Sequence, residues 1–262
     1  MPLALLSVQW LLGADPPSPR VAPFYDAASI VNAADNQSGA LAPNTIGTIY
    51  GTNLSYSTAV LTGNDVAGGV LPTVLGTDET QVFINNIPAN LYYVSPTQIN
   101  FLVPPNLSPG PATVAVFVDG LYGPLISLTL TAAAPGLFQL DATHAVATFP
   151  DGSVLTSASP AAPGNIVILW ATGLGPVTPA ADYSEIPTAA APLVAGANLS
   201  ILLNGSPVPA GAILYAGVAP GFAGLYQINL MLPASTPANP EIRLSLDGQI
   251  SIPQIYLPVM LN

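Results

Sequence analysis

TQINFLVPP occupies Thr97–Pro105, and YQINLMLPA occupies Tyr226–Ala234. Each copy reads Gln-Ile-Asn, three apolar residues, then proline. Gln98 and Gln227 stand 129 residues apart in a chain of 262, so the echo falls at half the length. A three-residue match means little alone, so the question is whether the surroundings repeat as well.

They do. LAPNTIGTIYGTNL (Leu41–Leu54) aligns with AAPGNIVILWATGL (Ala161–Leu174). In both, a proline precedes an apolar run ending in an aromatic, Tyr50 or Trp170. QVFINNIPANLYYVSP (Gln81–Pro96) aligns with SILLNGSPVPAGAILYAGVAP (Ser200–Pro220): strand, Asn turn, proline, second strand with tyrosine. After each Gln-Ile-Asn run come ATVAVFVDG (Ala112–Gly120) and EIRLSLDG (Glu241–Gly248), closed by the hairpin dipeptide Asp-Gly. Matched features lie 119 to 129 residues apart, so the copies differ by loop insertions. The chain is read as an internal duplication of a unit of about a hundred residues.

Each unit reads as all-β. Ile242, Leu244 and Leu246 alternate with Glu241, Arg243 and Ser245, and Val114, Val116 and Val118 alternate likewise. Period two with one apolar face places a strand on a core. Thirty prolines and twenty-three glycines, scattered along the chain, argue against long helices. Short strands punctuated by turn residues point to two tandem Ig-like β-sandwich domains, 21–140 and 141–262, behind an apolar segment and linker at 1–20. AVATFPDGSVLT (Ala145–Thr156), with its Pro-Asp-Gly turn, opens the second unit. Ile99 and Ile228 are expected to point inward. Gln98, Asn100, Gln227 and Asn229 then face the other way, and the following proline ends each strand.

Composition narrows the function. Six per cent of residues are charged, against about a quarter in ordinary soluble domains. Lysine and cysteine are absent, and the basic residues are Arg20 and Arg243. Disulfides, Cys–zinc sites, thiol nucleophiles and a Walker-type phosphate loop are therefore excluded. A net charge of −11 without a basic patch excludes nucleic acid and anionic membrane surfaces as partners. No run reaches about eighteen apolar residues, so the chain is not expected to span a membrane. A surface of Thr, Ser, Asn, Gln, Pro and Ala fits extracellular and fibre-forming proteins.

Chemistry is hard to place. His144 is the single histidine, too little for a catalytic triad or a histidine metal site. Asp78 and Glu79 form the densest carboxylate pair; with Asp65 or Asp119 they offer loop oxygens for calcium, but no Asp-x-Asp-x-Asp loop is present. ATGLGPVTP (Ala171–Pro179) reads as a turn, since its glycines lead into prolines where no phosphate-binding helix starts. Tyr92, Tyr93, Tyr215 and Tyr226 are candidates for stacking on sugars, or for capping strands. Asn-x-Ser sequons stand at Asn36, Asn53, Asn106 and Asn198. No catalytic, cofactor-binding or metal-ligating residue is assigned, and no cofactor is expected.

LYYVSPTQINFLVP, TAAAPGLFQLD, SPAAPGNIVILWATGLGPVTP and APGFAGLYQINLMLP together resemble an uncharacterised bacterial C-terminal domain family, abundant in soil acidobacteria, that usually ends large secreted proteins. The resemblance covers roughly Ser29–Leu261. It implies an extracellular, Ig-like, non-enzymatic module and supplies no active-site residue. The module makes up almost all of this chain, which is therefore expected to act on its own account.

The N-terminus has two readings. MPLALLSVQWLLGAD holds an apolar stretch of signal-peptide length with Ala14 at a cleavage position, though no Lys or Arg precedes it and fourteen residues are short for a complete signal. As a strand, Leu6, Val8, Trp10 and Leu12 fall on one face. DPPSPR (Asp15–Arg20) is an extended tether of about 19 Å at roughly 3.1 Å per residue. The segment then serves as a donor strand for a neighbouring copy, in an open head-to-tail fibre. The expected function is a self-assembling subunit of an extracellular filament, sheath or adhesive layer. The alternative is a cell-surface glycan- or protein-binding module.

Overall fold

The computed structural model describes residues 20–178 and 185–260. Leu6, Val8, Trp10 and Leu12, the expected donor-strand residues, lie outside them. Among the described residues every regular element is a strand or a three-residue 3-10 turn.

The strands form four antiparallel sheets, two in each half. In the first half one sheet runs Ile30–Asn32, Ile46–Tyr50, Gln98–Leu102, Asn90–Val94 and Ala59–Val60. The other runs Ile126–Leu130, Gly110–Val118, Gln81–Ile84 and Ile87–Pro88. Ile49, Ile99 and Phe101 from the first sheet pack with Val82, Val114 and Val116 from the second in one buried cluster. That is a sandwich, two sheets sharing one core. The second half repeats it. Ile166–Thr172, Tyr226–Met231, Ile213–Val218 and Ala191–Pro192 face Ser206–Pro207, Ser200–Leu203, Ile242–Leu246 and Gln249–Ile250. Val167, Leu169, Ile228 and Leu230 meet Ile201, Leu244 and Leu246 in its core.

The duplication is visible in the pairing of the central strands. Ile99 pairs with Ile49, and Ile228 with Leu169. Both isoleucines are fully buried, as period two requires. On the opposite face Gln98 Nε2 donates to Asn100 Oδ1 at 2.9 Å, and Gln227 Nε2 donates to Asn229 Oδ1 at 2.7 Å. Residues i and i+2 of a strand share a face, so the Gln-x-Asn spacing ties its own side chains together. Leu41 bridges Leu130 in parallel, as Ala161 bridges Val259. The Asp119-Gly120 and Asp247-Gly248 turns both have φ near +48° and +83°, the positive-φ pair that a two-residue hairpin needs.

Sheet edges are blunted without charge. Three edge strands, Ile87–Pro88, Ala191–Pro192 and Ser206–Pro207, are two residues long and end in proline, which lacks the N–H that a docking strand would use.

The largest insertion between the copies is one loop. Tyr93 and Tyr215 pair with Asn100 and Asn229 respectively, so matched positions are 122 apart before the connection and 129 after it. Seven extra residues therefore enter between Ala216 and Ile228, where APGFAGL (Ala219–Leu225) leaves the sheet.

Candidate functional site

The long loop has two sides, and each meets a different surface. Its inner side is wedged against the first sandwich. A Cβ on Gly224 would stand 2.4 Å from Leu102 Cδ1 and 3.0 Å from Ile46 Cγ1, and φ is +69°, so this contact admits only glycine. Ala223 joins Leu71 and Leu102 in a third apolar cluster, flanked by Ile46, Tyr92 and Ile186. Tyr92 is the extra residue of a β-bulge, which turns its side chain off the sheet. Its hydroxyl donates to Ala223 O at 2.6 Å, and burial raises its pKa. Thr172 Oγ1 accepts from Ile46 N at 2.9 Å and donates to Gly224 O at 2.8 Å. Asn44 Nδ2 donates to Tyr226 Oη at 3.0 Å, and that hydroxyl donates to Gly175 O.

The outer side of the loop carries Phe222, 60 % exposed. It closes one side of a cleft of about 440 Å³ lined by Phe138, Val146, Trp170, Ala219, Pro220, Phe222, Leu225 and Gln227. The strands set the floor. Trp170 and Gln227 are cross-strand partners on the face opposite the core, because their neighbours Leu169 and Ile228 point inward. Trp170 Nε1 donates to Thr148 Oγ1 at 3.3 Å, which steadies the indole. Phe138 N donates to Trp170 O at 2.9 Å, bringing the third aromatic alongside. Gln227, held by Asn229, is the polar group at the floor. No lining residue is charged. Such a cleft binds by stacking and by amide hydrogen bonds, with no group for proton transfer.

The first sandwich has the same floor without the walls. Tyr50 stands at the place of Trp170 and pairs with Gln98, but its hydroxyl donates to Asn36 Oδ1 at 2.9 Å, and the turn at Ser95–Thr97 is too short to supply a Phe222.

The residues singled out from sequence are dispersed. Tyr226 and Tyr92 are not sugar-stacking residues: the first is fully buried, the second partly, and both hydroxyls are spent at the junction. Tyr215 donates its hydroxyl to Val218 O at 2.9 Å, within its own strand, and Tyr93 is half-buried. Asp78 accepts from Ser55 Oγ, Ser57 Oγ and Tyr56 N, all within 3.0 Å. Burial pushes its carboxyl up, but these bonds outweigh it and the pKa falls. Asp65 caps its own turn through Thr62, and Asp119 pairs with Arg20. Among the described residues no three His, Cys, Asp or Glu side chains converge as a metal site. His144 Nδ1 lies 2.9 Å from the Asp141 carboxylate. The Thr143 amide, then His144, hold that carboxyl near a pKa of about 2. Gly173 and Gly175 have φ of +76° and +83°, so the chain turns at the junction directly after the strand Ile166–Thr172. Asn36 and Asn53 sit in left-handed turns, Asn198 donates to Asp247, and Asn106 lines a separate groove.

Sequence reasoning missed the cleft. Trp170 was visible as the aromatic ending a strand, but Phe222 lies fifty-two residues away, on a loop whose fold depends on the other sandwich.

Residues 30–132 match the IPT/TIG domain model. The IPT/TIG match thus covers the first sandwich and identifies it as an Ig-like fold. Among solved structures, SGBP-B of the Bacteroides ovatus mixed-linkage glucan utilization locus, in complex with a heptasaccharide, is 11% identical, with TM-score 0.37, over 92% of this chain and 47% of that one. The surface glycan-binding protein of Prevotella bryantii is 12% identical, with TM-score 0.27, over 88% and 41%. Tandem Ig repeats of Dlar are 10% identical, with TM-score 0.21, over 92% and 96%. The chain spans less than half the length of the first two. No curated protein matches the chain.

Proposed function

We propose that this chain is a non-catalytic extracellular module that holds a neutral glycan in the Trp170–Phe222 cleft. The carrying observation is the lining: three aromatic side chains and one anchored amide, without a charge. The C–H faces of a sugar ring pack on aromatic faces, while its hydroxyls need planar donors and acceptors such as Gln227. A net charge of −11 repels anionic ligands and leaves neutral ones unaffected. The only histidine is spent on Asp141 and Thr143, which supports a binding role over a hydrolytic one. Extracellular placement belongs to the same reading, as does the resemblance to the acidobacterial C-terminal family. Within it the two units, 21–140 and 141–262, act as one piece, joined by Tyr226, Tyr92 and Gly224. A glycan array tests it: neutral polysaccharides are expected to retain the chain and anionic ones to release it. Retention by none, or by anionic glycans alone, overturns the reading.

The filament subunit is the second reading. Ile126–Leu130, five residues long, ends its sheet without a flanking charge and is bridged by Leu41 at Leu130, which leaves Ile126–Thr129 as the edge for a donor strand. Donation by Leu6, Val8, Trp10 and Leu12 predicts that a chain starting at Asp15 no longer polymerises. Normal polymers from that chain rule this donor out.

A further inference from the structure

The junction between the sandwiches uses one end of the first sandwich, and the duplication places the same end on the second. In the first sandwich, Ile46 pairs with Leu102 at the strand ends, and the bulge aims Tyr92 beside them. All three lie in the cluster covered by the Ala219–Leu225 loop. The matching residues in the second sandwich are Ile166, Met231 and Leu214. Ile166 pairs with Met231 as Ile46 does with Leu102. Leu214 sits in the matching bulge, between Ile213 and Tyr215.

These three are not covered. Ile166 is 38 % exposed, Met231 43 % and Leu214 50 %. Three large apolar side chains on the surface of a sandwich with a dense core call for an explanation, and single exposed hydrophobics do not. Here the explanation is built into the chain: the same position is an interface once already.

The opposite end is also open. Thr172, which receives Ile46 N at the junction, corresponds to Thr52 in the first sandwich. Thr52 pairs with Phe24 through two backbone bonds of 2.9 Å, and Phe24 is 67 % exposed. One end of the molecule thus offers an apolar acceptor face, and the other carries a large aromatic beside the residue equivalent to the junction threonine.

We propose that the Ile166–Leu214–Met231 face binds a second copy of the chain, head to tail, through the Phe24–Thr52 end of that copy. The contact brings together the same two sandwich ends as the internal junction, with Phe24 in place of the Ala219–Leu225 loop, which the first sandwich lacks. It joins different surfaces, so it does not close on itself and propagates as a filament. It needs no strand from residues 1–19 and is independent of the glycan cleft.

Sedimentation velocity on the full chain tests it. The wild type is expected to form species beyond the dimer as concentration rises through the high micromolar range. Met231→Glu and Phe24→Glu alter exposed side chains and are each expected to sediment as monomers with unchanged circular dichroism. Leu214→Ser gives the same reading should Met231→Glu lower the melting temperature. Mixing Phe24→Glu with Met231→Glu leaves one intact end on each, so the mixture is expected to stop at dimers. A monomeric wild type overturns the proposal. So does wild-type assembly by Met231→Glu and Leu214→Ser, the result if residues 1–19 drive association. A mixture that yields no dimer overturns the head-to-tail geometry.

Discussion

Thr97 and Tyr226 hold the same place, one residue ahead of the two Gln-Ile-Asn strands, yet Thr97 is exposed and Tyr226 is fully buried. The difference makes the junction. The Tyr226 hydroxyl accepts from Asn44 in the first sandwich and donates to Gly175 in the second. Tyr226→Phe is expected to destabilise the chain by about 1–3 kcal/mol, because it strips a buried amide of its partner. Urea unfolding measures it. Thr97→Val, at the exposed counterpart, is expected to change stability little.

The strands themselves are tested by Ile228→Asn. Ile228 lies between Leu169 and Ala216, fully buried. An unpartnered amide there is expected to cost roughly 3 kcal/mol or more, and Ile99→Asn about the same. Thermal melts of both variants decide whether the two strands are equivalent. An unchanged melting temperature in either contradicts the inward assignment.

Much of this was legible in the sequence, for reasons of period. Ile99 and Ile228 are inward because a strand alternates, and each Gln-x-Asn pair faces outward by the same rule. Asp119-Gly120 and Asp247-Gly248 are hairpins because positive φ selects those residues. What escaped is tertiary. Tyr226 and Tyr92 read as sugar-stacking or strand-capping residues, since nothing local says that a bulge and a strand start meet the other sandwich. The spread in spacing between the copies was visible as a number, but the loop behind most of it, and that loop's two-sided role, were not.

The loop is tested by two glycines with positive φ. Gly224→Ala drives a methyl into Leu102 and Ile46 and is expected to cost about 2–4 kcal/mol, combining overpacking with left-handed strain. Gly205→Ala, at φ +77° with open space around it, is expected to cost about 1 kcal/mol, from strain alone. Equal losses would mean that the loop is not seated on the first sandwich.

Asp35 sets an opposite pH trend to its neighbours. Burial raises its pKa, although the Gln37 amide partly offsets this. A carboxyl raised on folding favours the folded state most when protonated, below its unfolded pKa, and loses that contribution as pH rises through the folded value. Asp35→Asn is therefore expected to raise the melting temperature at pH 7 and to leave it unchanged near pH 3. Asp65, Asp78, Asp141 and Asp151 are lowered by hydrogen bonds, so their contributions are present at neutral pH and fade as pH falls. Melting curves across pH 3–7 separate the two trends.

The central claim is that the second sandwich binds a neutral glycan on Trp170, while the matching Tyr50 site in the first does not. Isothermal calorimetry with a neutral oligosaccharide retained on the array tests it most directly, using Trp170→Ala and Tyr50→Ala side by side. Loss of one stacking platform is expected to weaken binding by at least about tenfold, or about 1.4 kcal/mol, in Trp170→Ala. Tyr50→Ala is expected to bind as the wild type does. Unchanged affinity in Trp170→Ala, or an equal loss in both, contradicts the account.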